Sequence, residues 1–305
     1  MCISQQLKES MKKITELKIG ALTTVLLSCL LIHSSYASET PKHFTIAISP
    51  CTDVVSIYEK YNLLIKYLQE KTGFNIKLAF PKSYAEFAKV LHNKDVDFAF
   101  QDPDVYLKFA HLYNKDSLLI ALTPKGEVVQ SSVVIVRKDS NIHKIEDLVG
   151  KSVIFGPKLS STRWVNAKLL FAEKGINIDK DLSEYSNGGC CEDVAFNVNL
   201  KATDAGVVCD HFLSMHEERK QKLGVESQQI VGIAHTQLVP TKVLSARLAV
   251  SDTLVCKVTQ ALLSLDNTNP EDAKILSHAE IGGFRKISHE DYKKRCLPAD
   301  TVQTR

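Results

Sequence analysis

From position 45 onward the hydrophobic positions switch repeatedly between short continuous runs and helical spacing. Thr45 to Ile48 reads as a strand. Val54, Ile57, Tyr58, Tyr61, Leu64, Ile65 and Leu68 then recur every three or four residues, predicting a helix that Gly73 stops. Asn75 to Phe80 predicts a strand, Tyr84 to Leu91 a helix, Val96 to Gln101 a strand, and Val105 to Tyr113 a helix. Ser131 to Val136, rich in β-branched residues, predicts a buried strand. The alternation then restarts. Val153 to Phe155 is followed by a helix from Thr162 to Lys174, a second from Glu192 to Leu200, and a strand from Ala205 to Val208. A polar helix from His211 to Lys222, extended runs at Ile230 to Ala234 and Val243 to Ala246, and helices at Thr253–Leu265 and Glu271–Ser277 complete the pattern. Strand–helix alternation with short connections predicts an α/β fold of mostly parallel sheets flanked by helices.

The first 37 residues break this pattern. Four lysines precede an apolar run from Ile19 to Ile32, and Ser35-Tyr36-Ala37 supplies small residues for cleavage near Ala37. The run is shorter than the ~20 residues of a membrane-spanning helix, so a cleavable signal peptide and export to the periplasm are expected. Met11 offers a second start, because the ten residues before it add nothing such a signal requires. Lys and Arg number 38 against 35 Asp and Glu, with the signs interspersed, which argues against a nucleic-acid partner. The length of 305 residues fits two domains.

Strand-to-helix loops in such sheets are where ligands bind. Gly156-Pro157-Lys158-Leu159-Ser160-Ser161-Thr162-Arg163 runs from a strand into a helix, with three consecutive hydroxyls and a guanidinium. One hydroxyl suffices for a cap; the set suits a tetrahedral oxyanion. Asp102 is expected to cap the helix after Pro103. No P-loop, Gly-x-Ser-x-Gly or His-Glu-x-x-His pattern occurs, so no enzyme, cofactor or dedicated metal site is indicated. Six cysteines follow the leader: Cys51, Cys190, Cys191, Cys209, Cys256 and Cys296. Export makes pairing the simplest expectation, and Cys256 with Cys296 fits it best.

Several stretches, in their order and spacing, resemble the phosphate/phosphonate-type periplasmic solute-binding proteins of ABC transporters over about residues 44–295. They are Asp95-Val96-Asp97-Phe98-Ala99-Phe100 with Pro103 and Tyr106, Ser132 to Ser140, Ile145 to Lys151, Asp204-Ala205-Gly206, and Gly283-Phe284. The resemblance implies a type II periplasmic-binding-protein fold of two lobes joined by two hinge crossovers. One lobe would take residues 38–137 and 236–305, the other 138–235, with the hinge near Val136–Asp139 and Val231–His235. It implies a non-enzymatic, monomeric protein that captures a phosphate- or phosphonate-like oxyanion and delivers it to an ABC permease. Ser160, Ser161 and Thr162 fall on the family's anion loop and Tyr106 on a cleft tyrosine. Arg163 and Trp164 replace the family's Gly and Tyr.

By the same alignment Cys191 replaces a cleft histidine and Cys209 a polar cleft residue, while Cys51 lies on the first cleft loop. Three thiols in the cleft make an alternative: a receptor for a thiophilic oxyanion or soft metal, arsenite-like, signalling to a sensor kinase. Two further readings stand beside it. One is a disulfide from Cys190 or Cys191 to Cys209, which a thiol–disulfide protein would also use. The other is zinc held with His211, a spacing that lacks the close pairs of structural zinc sites.

Overall fold

The computed structural model describes residues 43–49, 54–213 and 229–296. The expected signal segment, Cys51 and the greater part of the expected helix from His211 to Lys222 lie outside the described residues. Among the described residues, thirteen strands form two main sheets and one short pairing.

In the first sheet, β1 (His43–Ile48) lies between β2 (Asn75–Ala79) and β3 (Phe98–Gln101), parallel to both. Beyond β3 the sheet continues through β12 (Val243–Ala246), β4 (Leu119–Leu122) and β13 (Gly283–Lys286), each antiparallel to its neighbour. Side chains alternate across the pleat, so Phe44, Ile46 and Ile48 enter one core and Ala47 the other. The first core is covered by α1 (Val54–Thr72), α6 (Asp252–Leu263) and α7 (Pro270–His278). The opposite face carries α2 (Tyr84–His92), α3 (Pro103–Phe109) and α8 (His289–Cys296). Gly73 ends α1 as expected, at φ 74°, with its N–H on the Gln69 carbonyl.

The second sheet has the order β10 (Ile230–His235), β6 (Ser132–Arg137), β9 (Ala205–Cys209), β7 (Ser152–Phe155) and β8 (Glu184–Asn187). Val134 and Val136 pack beneath α4 (Ala167–Glu173); Val133 and Ile135 pack beneath α5 (Cys191–Asn199).

Two expectations change. Both sheets are mixed rather than mostly parallel, because β10, β6 and β9 also run antiparallel. A chain that leaves one lobe and returns must lay its incoming and outgoing strands in opposite directions. The lobe crossing also falls before β6, not after it. β6 and β10 are full members of the second sheet, whereas β5 (Val129–Gln130) and β11 (Val239–Pro240) pair only with each other.

Candidate functional site

Loops at one end of both sheets face each other across a cleft of about 690 Å³. One wall begins where β7 ends. Gly156 donates its N–H to the Arg163 carbonyl at 3.1 Å, and a Cβ on residue 156 would stand 2.4 Å from the Arg163 Cβ. Glycine there lets the chain fold back tightly onto the turn that follows.

That turn, Ser161–Asn166, is π-helical, with the Val165 N–H reaching the Ser160 carbonyl at 3.1 Å. The sequence predicts an ordinary helix from Thr162; the wider first turn instead swings Arg163 inward. Arg163 is 3% exposed and donates through Nη1 to the Gly189 carbonyl at 2.9 Å. Ser160 caps the turn, accepting the Arg163 N–H at 3.2 Å. Ser160, Thr162 and Arg163 line the cleft.

Ser161 does not line it. Buried at 1% exposure, its Oγ accepts the Asp104 N–H at 3.3 Å, and its own N–H points to Asp102 Oδ1 at 3.5 Å. Asp102 occupies the cap position of α3, but its side chain makes no capping bond. It reaches across instead, and its other oxygen pairs with Lys242 Nζ at 2.9 Å. A carboxylate of the first lobe therefore stands at the start of the second lobe's helical turn. Sequence reading assigned Asp102 a local role because the residue type does not reveal which way the side chain turns.

Tyr106 requires a clear correction. Its ring is fully buried between Tyr113 and Tyr292, and its hydroxyl bonds His289 Nδ1 at 2.7 Å. It is absent from the cleft lining. Packing by α8, which the sequence pattern did not announce, consumes both its ring and its hydroxyl.

The second wall segment is sulfur. Cys190 caps α5, its Sγ accepting the Asp193 N–H at 3.4 Å, and Cys191 opens the helix. Cys209 closes β9 and donates its backbone N–H to Cys191 Sγ at 3.2 Å. All three line the cleft as free thiols. A hydrogen bond from the Cys209 thiol, with help from the Arg163 guanidinium, outweighs burial and lowers the Cys191 pKa to about 6. The same contact, together with burial, pushes Cys209 well above the usual thiol range. Burial raises Cys190 to about 12.

Cys256 and Cys296 are also free. Cys256 is exposed on α6, while Cys296 packs into the core on the opposite face of the first sheet. A sheet between them prevents the expected disulfide.

The facing wall contains groups that sequence reading missed. Lys60 of α1 pairs with Glu280, and Lys242, just before β12, pairs with Asp102. Tyr61 and Phe100 supply apolar surface. Only the position of Asp102, directly after a strand, offered a signal. Lys60 and Lys242 are ordinary surface-type residues in the sequence. Beside the cysteines, Asp210 accepts from Ser131 N–H and Oγ at 3.0 and 2.9 Å. Burial pushes its carboxyl up, but hydrogen bonds from His211 and Ser131 prevail and hold it at about 2. Among the described residues, no group of three or more His, Cys, Asp or Glu side chains could hold a metal ion.

Residues 46–292 match the family described as ABC transporter, phosphonate, periplasmic substrate-binding protein. The chain belongs to this family. It is 26% identical over 152 residues to the phosphate-import protein PhnD of Mycolicibacterium smegmatis, a match covering 47% of the chain and 46% of that relative. The chain thus spans just under half the length of this curated relative.

Solved structures agree on the fold. A binding-protein component of an ABC phosphonate transporter from Pseudomonas aeruginosa superposes with a TM-score of 0.70 at 18% identity, covering 83% of each chain. PhnD1 from Prochlorococcus marinus, in complex with methylphosphonate, gives 0.68 at 17% identity, covering 84% of this chain and 96% of that one. The two-lobed α/β architecture is that of these PhnD-type proteins, and the family is one of periplasmic substrate-binding transport proteins.

Proposed function

We propose that this protein captures a small oxyanion of the phosphate or phosphonate class between its lobes and presents it to an ABC permease. One observation carries the reading: the cleft is walled by both lobes, with Ser160, Thr162 and Arg163 facing Lys60, Asp102 and Lys242. Hydroxyls and a guanidinium donate to anionic oxygens, and a site built from two lobes gains its contacts only on closure. Ligand then drives closure by what it gains from the second wall.

The charge balance narrows the ligand. Lys60 and Lys242 already have carboxylate partners, and Cys191, across the cleft beside Arg163, favours its thiolate form. Like charges repel at this range, so a monoanion fits better than a dianion. Cargo delivery and periplasmic location follow the family's transport role.

Calorimetry on the purified protein with phosphate and with methylphosphonate tests the reading. Saturable one-to-one heat with at least one of them, weakened tenfold or more by Arg163→Met, is expected. Absence of heat with both refutes it.

A further inference from the structure

The oxyanion reading uses Cys191 only as a neighbouring charge and gives the Cys191–Cys209 pair no ligand of its own. Cys191 and Cys209 sit at the head of α5 and the end of β9, with the Cys209 backbone N–H donating to the Cys191 sulfur at 3.2 Å. The spacing of these elements is set by the backbone. A Cβ on Gly206 of β9 would stand 2.5 Å from Val194 Cγ1 of α5, so glycine allows the helix to lie directly against the strand. Both cysteines line the cleft, which gives a small ion a path from solvent.

We propose that Cys191 and Cys209 form a two-sulfur site for a soft monovalent d10 cation of the copper(I) or silver(I) class. Soft thiolates select such ions over harder ones. Coordination number argues the same way: no third donor among the described residues stands close enough to build a tetrahedral cage. Two thiolates around a monovalent ion leave one net negative charge, and the Arg163 guanidinium, which acts on both sulfurs, balances it. Lys60 acts on Cys209 in the same sense, while Glu192 opposes it at Cys191. A linear arrangement needs the sulfurs ~4.6 Å apart, twice a metal–thiolate bond of ~2.3 Å. The site goes beyond oxyanion capture and stands or falls separately from it.

The test uses the full chain, reduced and handled without oxygen, competing for copper(I) with a chromophoric chelator. One copper(I) per chain is expected to transfer. Cys191→Ser and Cys209→Ser should each weaken transfer at least 100-fold, while Cys256→Ser and Cys296→Ser leave it within threefold. X-ray absorption of the loaded protein should show two sulfur neighbours. In the wild-type chain, bound copper should shield Cys191 and Cys209 from alkylation, a readout independent of whether a variant folds. Lack of transfer, transfer retained in either Cys191→Ser or Cys209→Ser, a third heavy donor, or unshielded sulfurs overturns the proposal. So does a Cys191–Cys209 disulfide that persists in protein made with copper present. Calorimetry with phosphate and methylphosphonate on the same preparation reports separately on oxyanion capture.

Discussion

Asp102→Asn is the most informative single change in the cleft. The Asp102 carboxylate stands 3.5 Å from the Ser161 N–H, at the helical start where an incoming oxyanion would bind. Asparagine keeps an oxygen for that N–H and removes the charge. For an anion held by the neighbouring Ser160 and Thr162 hydroxyls, ~6 Å is taken as the working separation from this carboxylate. At an effective dielectric of ~20 the repulsion there is about 3 kcal/mol. Its removal strengthens binding by about 100-fold, since ~1.4 kcal/mol is tenfold. Lys242 loses its partner at the same time and can turn to the ligand, which adds in the same direction. The stability cost is about 1–2 kcal/mol, because the Lys242 side chain is 21% exposed and its Nζ also lies 3.4 Å from the Ser49 carbonyl. Calorimetry of wild type and variant with methylphosphonate, paired with thermal melts, measures both quantities. Affinity unchanged within threefold, or weakened, would refute the idea that Asp102 competes for the anion seat.

Iodoacetamide labelling of Cys191, followed by peptide mass spectrometry, should rise through a midpoint near its pKa of about 6 and level off above pH 7. Cys190 and Cys296, both pushed up to about 12 by burial, should keep rising; a Cys191 midpoint above 8 contradicts the thiolate assignment. Asp210, held at about 2 in the folded chain against ~3.9 unfolded, contributes stability that is present above pH ~4 and lost as pH falls toward 2. Asp210→Asn should flatten the dependence of melting temperature over that window. Gly206→Ala drives a methyl into Val194 and should cost ~1–3 kcal/mol, lowering the melting temperature by several degrees; an unchanged melt sinks the packing argument. Tyr106→Phe removes the bond to His289 and should cost ~1 kcal/mol while ligand affinity stays within twofold. A large affinity loss would return Tyr106 to the ligand site.

The period of hydrophobic residues determined most of the architecture. Long runs buried on both faces, such as residues 132–136 and 205–208, declare themselves because every position must be apolar or small. Elements without that requirement were silent. β8 (Glu184–Asn187) is exposed throughout and exists through its pairing with β7; β13 and α8 are largely polar and are held by their neighbours. The order and spacing of the motifs also pointed to the family that residues 46–292 match. Tertiary structure alone decided what each chemical group faces. Ser160, Thr162, Arg163, Cys191 and Cys209 line the cleft, while Ser161 is buried against Asp104 and Tyr106 against Tyr113 and Tyr292. Lys60 and Lys242 line the cleft from positions that no sequence pattern marks. The reason is physical: periodicity records whether a position leaves water, but a side chain's partner is chosen by other segments that the fold brings beside it, as Lys242 is brought to Asp102.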